Sequence, residues 1–570
     1  MKVLVAQQNY HIGNFALNSA KMISVIEEAK SQHVDLVVFS ELSVCGYPPR
    51  DFLEFDDFIK LVDDTIAEIA KHTSGIGVLL GAPTKNGFSK GKPLFNSAIL
   101  LYERTVIGKV HKSLLPNYDV FDEYRYFEPS FDWNIIEFKG KKLAVTICED
   151  IWNIGDNPLY RICPMDELMK FAPDIMINIS ASPFDYDHDI DRVEVICQNV
   201  RKYKLPMIYC NAVGAQTEIV FDGGSMVVNQ NGFIHHELKY FVEDSFVVNT
   251  EDLYHSSPEN LSHENLEMDK DMRVAKANDT NQIIEYLTNE HNIDQVKSAL
   301  ILGIRDYFNK MGFTKAILGS SGGIDSAVVL SLAVEALGKE NVTAVLMPST
   351  YSTSHSVDDA KALSENLGNP YHIIPIKDVY GSFIQTLDPL FANTPFGIAE
   401  ENIQSRSRGN LLMAIANKFG YVLLNTSNKS ELATGYGTLY GDMAGGLSIL
   451  GDLYKSQVYA LAKYINKEKE IIPVNIIQKE PSAELRPNQK DSDSLPDYDI
   501  LDRMLYMYIE RRKGPADIIA CGFDEQLVRK TLRMVNTNEY KRNQFCPIIR
   551  VSSKAFGVGR RVPIVAKYLS

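Results

Sequence analysis

Residues Gly319-Ser320-Ser321-Gly322-Gly323-Ile324-Asp325-Ser326 follow the apolar run Ala316-Ile317-Leu318 and precede Ala327-Val328-Val329-Leu330. A short apolar run, a turn of small residues and a second apolar run read as strand, turn and helix start. That unit is the building block of parallel α/β sheets. Two adjacent glycines let the backbone approach a ligand closely. Three hydroxyls and the free N–H groups of a helix N-terminus form an anion cradle. An acid inside such a cradle, Asp325, repels phosphate unless a divalent cation lies between them. The loop therefore predicts use of a nucleoside triphosphate. It is not a P-loop, because no Gly-Lys-Ser or Gly-Lys-Thr follows, and its glycine spacing is not that of a dinucleotide fingerprint.

The surrounding pattern agrees. Strands are expected over 316–318, 343–347, 372–376 and 421–424. Helices are expected over 326–337 and 356–367, stopped by Gly338 and Gly368. This is a doubly wound parallel sheet, which binds ligands beyond the carboxyl ends of its strands. Before it, β-branched runs alternate with amphipathic segments: strands over 2–7, 35–40, 77–81, 97–101, 143–147, 174–179, 207–211 and 225–229, and helices over 16–32, 57–72 and 192–203. Between the halves, 252–279 is polar and lacks periodicity. A chain of 570 residues has room for two domains. The expected division is 1–250, a connection over 251–290, and 291–570, with 479–499 read as a polar mobile loop.

Composition limits the partners. A formal net charge of −15 disfavours a nucleic-acid binder or a membrane-surface binder, both of which need a basic face. The seven cysteines are odd in number, widely spaced and without a CxxC pair. That pattern argues against a disulfide framework or a zinc site and for the reducing cytoplasm. The apolar run at the N-terminus is too short for a signal peptide, and no run is long enough to span a bilayer.

Three residues of the N-terminal half suggest acyl chemistry. Glu41 ends the run Asp35-Leu36-Val37-Val38-Phe39-Ser40. Lys112 lies in Gly108-Lys109-Val110-His111-Lys112-Ser113-Leu114-Leu115-Pro116-Asn117-Tyr118, where Lys109 is a rival. Cys148 ends Leu143-Ala144-Val145-Thr146-Ile147 and precedes Glu149-Asp150. A cysteine can attack, a carboxylate can take its proton, and a lysine can stabilise an oxyanion. Taken singly, each residue has a plainer reading: a buried thiol, a solvated acid and a surface lysine.

Their order and surroundings, with Gly46-Tyr47-Pro48-Pro49-Arg50-Asp51 and Ile147-Cys148-Glu149-Asp150-Ile151-Trp152, resemble the Glu-Lys-Cys triad of the nitrilase (carbon–nitrogen hydrolase) superfamily. This resemblance spans roughly 1–250 and favours Lys112 over Lys109. It implies a nitrilase-like α-β-β-α sandwich and makes Glu123 a candidate for the additional acid of many nitrilases. SGGxDS resembles the pyrophosphatase loop of the ATP-dependent adenylating amidotransferases. The segments Glu401–Arg406, Asn425–Tyr436, Tyr440-Gly441-Asp442, Asp452-Leu453-Tyr454-Lys455 and Asn538–Arg542 are similar to NAD synthetase in order and spacing.

Together the two halves resemble the glutamine-dependent NAD synthetases. The resemblance implies a Rossmann-like adenylating domain that makes NAD⁺ from deamido-NAD, ATP and the ammonia of glutamine, through an adenylate. Its implied products are AMP, pyrophosphate and glutamate. It places Gly319, Ser320, Ser321, Gly322, Gly323, Ile324, Asp325, Ser326, Thr426 and Lys455 at ATP. It places Asn402, Glu431 and Lys541 at deamido-NAD, and Asp325 with Glu431 at Mg²⁺, with no prosthetic group. Tyr118 and Ser182 are implied at glutamine. The family's next basic position falls on His188, and His188 or the nearby Arg192 is left to meet the glutamine carboxylate. Val558-Gly559 stands where relatives often have an acid. The resemblance also implies a homo-oligomer, octamers being common in the family. Two rival readings are a different adenylated acceptor and an N-terminal half that is only a scaffold. Thr426–Glu431 and Lys541 speak against the first, and the intact triad against the second.

Overall fold

The computed structural model describes all residues except 156–158, 187, 256–278, 483, 487–488, 494 and 570, and the side chains of 188, 189, 255 and 354 also lie outside the description. The chain forms two compact units, Met1–Asp271 and Met272–Ser570.

The first unit contains two six-stranded sheets. One has the order β14-β1-β2-β3-β4-β5 and the other β13-β12-β9-β8-β7-β6. The first sheet's strands are β1 (Lys2–Gln7), β2 (Leu36–Val38), β3 (Gly77–Lys85), β4 (Leu94–Tyr102), β5 (Thr105–His111) and β14 (Asp244–Asn249). The second is built from β6 (Ile136–Phe138), β7 (Lys141–Ile147), β8 (Ile175–Ser180), β9 (Met207–Asn211), β12 (Met226–Val228) and β13 (Ile234–Glu237). A hairpin, β10 (Val213–Gln216) with β11 (Ile219–Asp222), stands apart.

Side chains alternate between the two faces of a strand. Val3, Val5 and Leu79 of the first sheet share a core with Val145, Ile177 and Ile208 of the second. The intervening residues Leu4, Val37 and Leu80 pack against Met22 and Ile26 of helix Phe15–Ser31 and Val62 of helix Asp56–Ala70. Met176, Met207 and Val228 pack against Ile196 and Val200 of helix His188–Tyr203. The layers are therefore helix, sheet, sheet, helix. Burying strands on both faces explains the near-continuous apolar runs, since each face meets a dry layer.

In the second unit β15 (Ala316–Gly319), β16 (Val342–Leu346), β17 (Tyr371–Ile373), β18 (Val422–Asn425) and β19 (Leu447–Ser448) are all parallel, in the order β17-β16-β15-β18-β19. One face of this sheet, with Ile317, Val345 and Leu423, packs on Leu412 and Ala416 of helix Ile398–Phe419. Helix Ile324–Leu337 buries Ala327 to Ala333 and packs with helices Glu290–Met311 and Lys455–Ile465. The strand order reverses between β15 and β18, so the loops after them diverge and leave a crevice. Both sequence-derived nucleotide segments, 319–326 and 425–431, fall there. Helix 324–337 ends at Gly338 as expected, whereas the expected strand 372–376 shortens to Tyr371–Ile373 and helix 192–203 begins earlier, at His188. Much of the expected connection, 256–278, lies outside the described residues.

Candidate active sites

In the first unit Glu41 emerges just past the end of β2, beneath the longer strand β3. The backbone of β3 presses so closely there that a Cβ on Gly81 would lie 2.3 Å from the amide nitrogen of Leu42 and 2.8 Å from the carbonyl carbon of Glu41. Only glycine fits that approach. Lys112 follows β5, and its N–H donates to the Asn96 carbonyl of β4 at 2.8 Å. Lys109 is on the exposed side of β5, while Lys112 is fully buried. Cys148 ends β7 at φ +44°, in the left-handed region. That conformation costs a non-glycine residue on the order of 1 kcal/mol and gathers at functional turns.

Glu41 and Lys112 meet, Glu123 joins them, and Cys148 lies within the field of all three. Lys112 Nζ donates to Glu41 Oε1 at 2.7 Å and to Glu123 Oε1 at 2.8 Å. The Ala181 N–H donates to Glu41 Oε2 at 3.0 Å, and the Tyr47 hydroxyl to Glu123 Oε1 at 2.9 Å. Burial alone would lower the Lys112 ammonium, but the Glu123 and Glu41 charges outweigh it and hold it well above its ordinary range. Burial pushes the Glu123 carboxyl up, against the pull of Lys112. The Cys148 thiol is raised well above its ordinary value, by burial first and then by the Glu41 charge, with Lys112 opposing. The resting thiol therefore keeps its proton, and attack needs a base. Glu41 is the acid whose charge acts most strongly on Cys148.

The remaining candidates of this unit are spread around that cluster. The Tyr118 hydroxyl donates to both carboxylate oxygens of Glu149, at 2.9 and 3.0 Å. Glu149 itself is buried and its carboxyl is raised by that burial. The Ser182 N–H donates to Asn211 Oδ1 at 2.9 Å. His188 falls on a side chain outside the described residues. Arg192 is fully buried and donates twice to Asp222, at 2.8 Å each, so its guanidinium is committed within the protein.

Asp150, which sequence reasoning passed over, accepts backbone N–H groups from Ser113 at 3.0 Å, Leu114 at 2.8 Å and Ile147 at 3.0 Å. It thus ties the chain just after Lys112 to the residue just before Cys148. Its burial leaves its carboxyl at about 6 despite those donors.

In the second unit a cavity of about 290 Å³ opens at the crevice between β15 and β18. Every residue of 319–326 except Gly322 lines it, as do Thr426, Glu431 and Lys455. Gly322 has φ +77°, and a Cβ there would stand 2.2 Å from the Ser356 carbonyl oxygen, so it seats the loop on helix Ser354–Leu367. Lys455 Nζ donates to Asp325 Oδ2 at 2.5 Å and to Glu431 Oε1 at 3.4 Å. Asn428 Nδ2 donates to Asp325 Oδ1 at 2.9 Å. Burial would lower the Lys455 ammonium, but the charges of Asp325 and then Glu431 hold it above its ordinary value. The Glu431 carboxyl is raised, by burial first and by Asp325 second.

Asn402 and Lys541 do not line that cavity. They converge instead on the segment that follows Glu431's helix, Lys429–Thr434. Lys541 Nζ donates to the carbonyls of Gly435 at 2.7 Å and Gly437 at 2.8 Å, and the Thr438 hydroxyl donates to Asn402 Oδ1 at 2.7 Å. The structure also brings Arg408, Lys479 and Asp491 to the cavity, none of which the sequence had singled out. Asp491 accepts the hydroxyls of Tyr436 at 3.2 Å and Tyr498 at 3.0 Å. The stretch 479–499, expected to be a mobile loop, thus lines the cavity with described residues from Lys479 to Asp491. The signal was present in its clustered acids and tyrosine but could not be placed without the fold.

Comparison with known proteins accords with both halves. Residues 2–156 match the carbon-nitrogen hydrolase family and residues 296–545 match the NAD synthase family. The chain is 42% identical over 573 residues to a glutamine-dependent NAD(+) synthetase of Synechocystis sp., covering 99% of each chain. It is 39% identical over 580 residues to that of Thermotoga maritima, covering 100% of this chain and 99% of that protein. The structure of a glutamine-dependent NAD(+) synthetase from Acinetobacter baumannii in complex with ADP superposes with a TM-score of 0.74 at 38% identity, over 99% of this chain and 98% of that one. By full-length similarity and by both domain matches, the chain belongs to the glutamine-dependent NAD(+) synthetases.

Proposed function

We propose that the chain amidates deamido-NAD to NAD⁺, with ATP as the activating substrate and glutamine as the nitrogen source. In the first unit Glu41 takes the proton of Cys148, and the sulfur attacks the side-chain amide carbon of glutamine. Lys112 stabilises the oxyanion, ammonia leaves, and water activated by Glu41 releases glutamate from the thioester. Tyr118, Ser182 and His188 hold the glutamine. In the second unit a carboxylate oxygen of deamido-NAD attacks the α-phosphorus of ATP. Pyrophosphate leaves and an adenylate forms. Ammonia then attacks the activated carbonyl carbon, giving NAD⁺ and AMP. Loop 319–326, Thr426 and Lys455 hold ATP. Asn402, Glu431 and Lys541 hold deamido-NAD.

The observation that carries this reading is the convergence of loop 319–326, Thr426, Glu431 and Lys455 on one cavity at the strand-order reversal. Two polyanionic substrates repel each other, so fixed cations are needed between them. Asp325 and Glu431 supply hard carboxylate oxygens side by side, a donor set suited to Mg²⁺. Among the described residues no third His, Cys, Asp or Glu completes a metal-binding group, so nucleotide oxygens and water would fill the other positions. Bound there, Mg²⁺ would neutralise phosphate charge. No prosthetic group is called for.

The test is isotopic. With deamido-NAD labelled with ¹⁸O in its nicotinate carboxylate, one label should appear in AMP and none in pyrophosphate, with AMP, pyrophosphate and glutamate each formed once per NAD⁺. Label confined to NAD⁺ and water would refute the adenylate.

Self-association is part of the proposal, as the resemblance to an oligomeric family implies. Its support is helix Lys377–Phe391, which buries none of its residues although Phe383 and Leu390 are apolar, with Ile373 and Ile398, near it in sequence, also exposed. Exposed large apolar side chains of this kind favour an interaction surface. Phe383→Asp with Leu390→Asp should lower the solution molar mass measured by sedimentation. An unchanged mass would exclude this face from the contact.

A further inference from the structure

We propose that Asn96 is a positioning residue of the glutamine site, the group that holds the base Glu41 and the second acid Glu123 in register on Lys112. This rests on the assignment of Glu41, Lys112 and Cys148 above. Asn96 lies on β4 and is 1% exposed. Its side-chain nitrogen has two hydrogens, and both have carboxylate acceptors: Glu41 Oε1 at 2.7 Å and Glu123 Oε2 at 3.3 Å. Its backbone carbonyl accepts the N–H of Lys112 at 2.8 Å. One residue thus touches the base, the second acid and the oxyanion lysine, which come from three different elements.

Charge explains why an amide is needed. Glu41 and Glu123 share one buried ammonium, so each acid has oxygen atoms that need a further donor where water does not reach. Lys112 holds Glu41 Oε1 and the Ala181 N–H holds Oε2, and of these two only Lys112 also reaches Glu123. A third donor, fixed on an interior strand, bridges the two acids again and sets their spacing. The donor must be neutral, since a second cation would compete with Lys112 for both acids. Asn96 Oδ1 is buried without a hydrogen-bond partner. An unsatisfied buried oxygen costs on the order of 1–3 kcal/mol. A residue selected for packing alone would avoid it with an apolar side chain of the same shape. Its retention fits a residue kept for its two N–H donors.

The experiment compares Asn96→Ala, Asn96→Ser and the isosteric Asn96→Asp with wild type and with Cys148→Ala. Three readouts are taken: glutamine hydrolysis, alkylation of the Cys148 peptide by iodoacetamide followed by mass spectrometry, and thermal melting. Loss of charge-assisted bonds to the base predicts a fall in kcat on the order of 10- to 100-fold for Asn96→Ala. KM for glutamine should change by less than about threefold, because the amide does not touch substrate. Alkylation of Cys148 should slow in parallel. Asn96→Asp preserves size but replaces the donor with an acceptor, so its loss should be at least as large as that of Asn96→Ala. If Asn96→Ala loses the first unit's melting transition, Asn96→Asp and Asn96→Ser carry the test.

Asn96→Asp retaining wild-type kcat would overturn the proposal. So would a loss confined to KM, or full-rate alkylation in a folded variant. If Cys148→Ala itself still hydrolyses glutamine, the underlying triad assignment fails instead. An active Asn96→Ala beside an inactive Cys148→Ala rejects only the role of Asn96.

Discussion

Cys148→Ala is expected to abolish glutamine-driven NAD⁺ formation, by about 10⁴-fold or more, while ammonium-driven formation persists at close to the wild-type rate. Covalent catalysis divides amide hydrolysis into two easier steps, and removing the sulfur removes both. Raising the thiol well above its ordinary value makes Cys148 dependent on Glu41, so Glu41→Gln should produce a loss of similar kind. The residues proposed for adenylation belong to the other unit. The substitution is small, and Cys148 is 4% exposed among Ile147 and Ile179, so alanine leaves a cavity of one sulfur. Its stability cost should be about 1 kcal/mol, too little to unfold the unit. The measurement is NAD⁺ formed from deamido-NAD and ATP with each nitrogen donor. Equal loss with both donors would mean that the two units do not divide the chemistry as proposed.

How much of this could be read from the residues depends on whether a signal was local. The loop 319–326 was legible because strand, turn and helix are consecutive, and each piece has its own composition. Glu41 and Cys148 were legible as strand ends, since a buried apolar run must stop where a carboxylate or a sharp turn begins. Lys112 could be separated from Lys109 only through family likeness. Physically, Lys109 falls on an exposed face of β5 whereas Lys112, just past its end, is buried and bonded to β4, and that depends on how β5 pairs with β4. Asn96 and Asp150 were invisible for the same reason. An asparagine in Phe95-Asn96-Ser97 and an aspartate after Glu149 carry no sign of their distant partners, Glu41 and Glu123 for the first and Ser113 and Leu114 for the second, which arrive only when the sheets form. Arg192 shows the converse. Its basic character made it a candidate for a glutamine carboxylate, and only the fold reveals Asp222 opposite it.

Lys455→Met should abolish NAD⁺ formation with both donors, and it is the sharper test of the second unit. Methionine matches the length of lysine but carries no charge, so the change isolates the ammonium. In the wild type that ammonium lies against Asp325 at 2.5 Å and Glu431 at 3.4 Å, with Asp491 also contributing to its field. Without it Asp325 and Glu431 lose the one ammonium that both of them contact among the described residues. Removing one partner of such a cluster costs about 3–5 kcal/mol, which should appear as a lower melting temperature for the second unit's transition. The catalytic cost adds to this. Negative charge grows on the phosphates as the α-phosphorus is attacked, and a preorganised cation is worth about 3–4 kcal/mol there, or on the order of 10³-fold in rate. Lys455→Arg retains the charge, but its planar fork cannot reproduce a point charge seated between two carboxylates, so it should recover stability more than activity. Alkylation of Cys148 should remain at the wild-type rate in both variants, because every residue proposed for glutamine chemistry belongs to the first unit. Loss of the glutamine-driven reaction alone would remove Lys455 from the adenylating step. Loss of stability without loss of rate would reduce it to a structural ion pair.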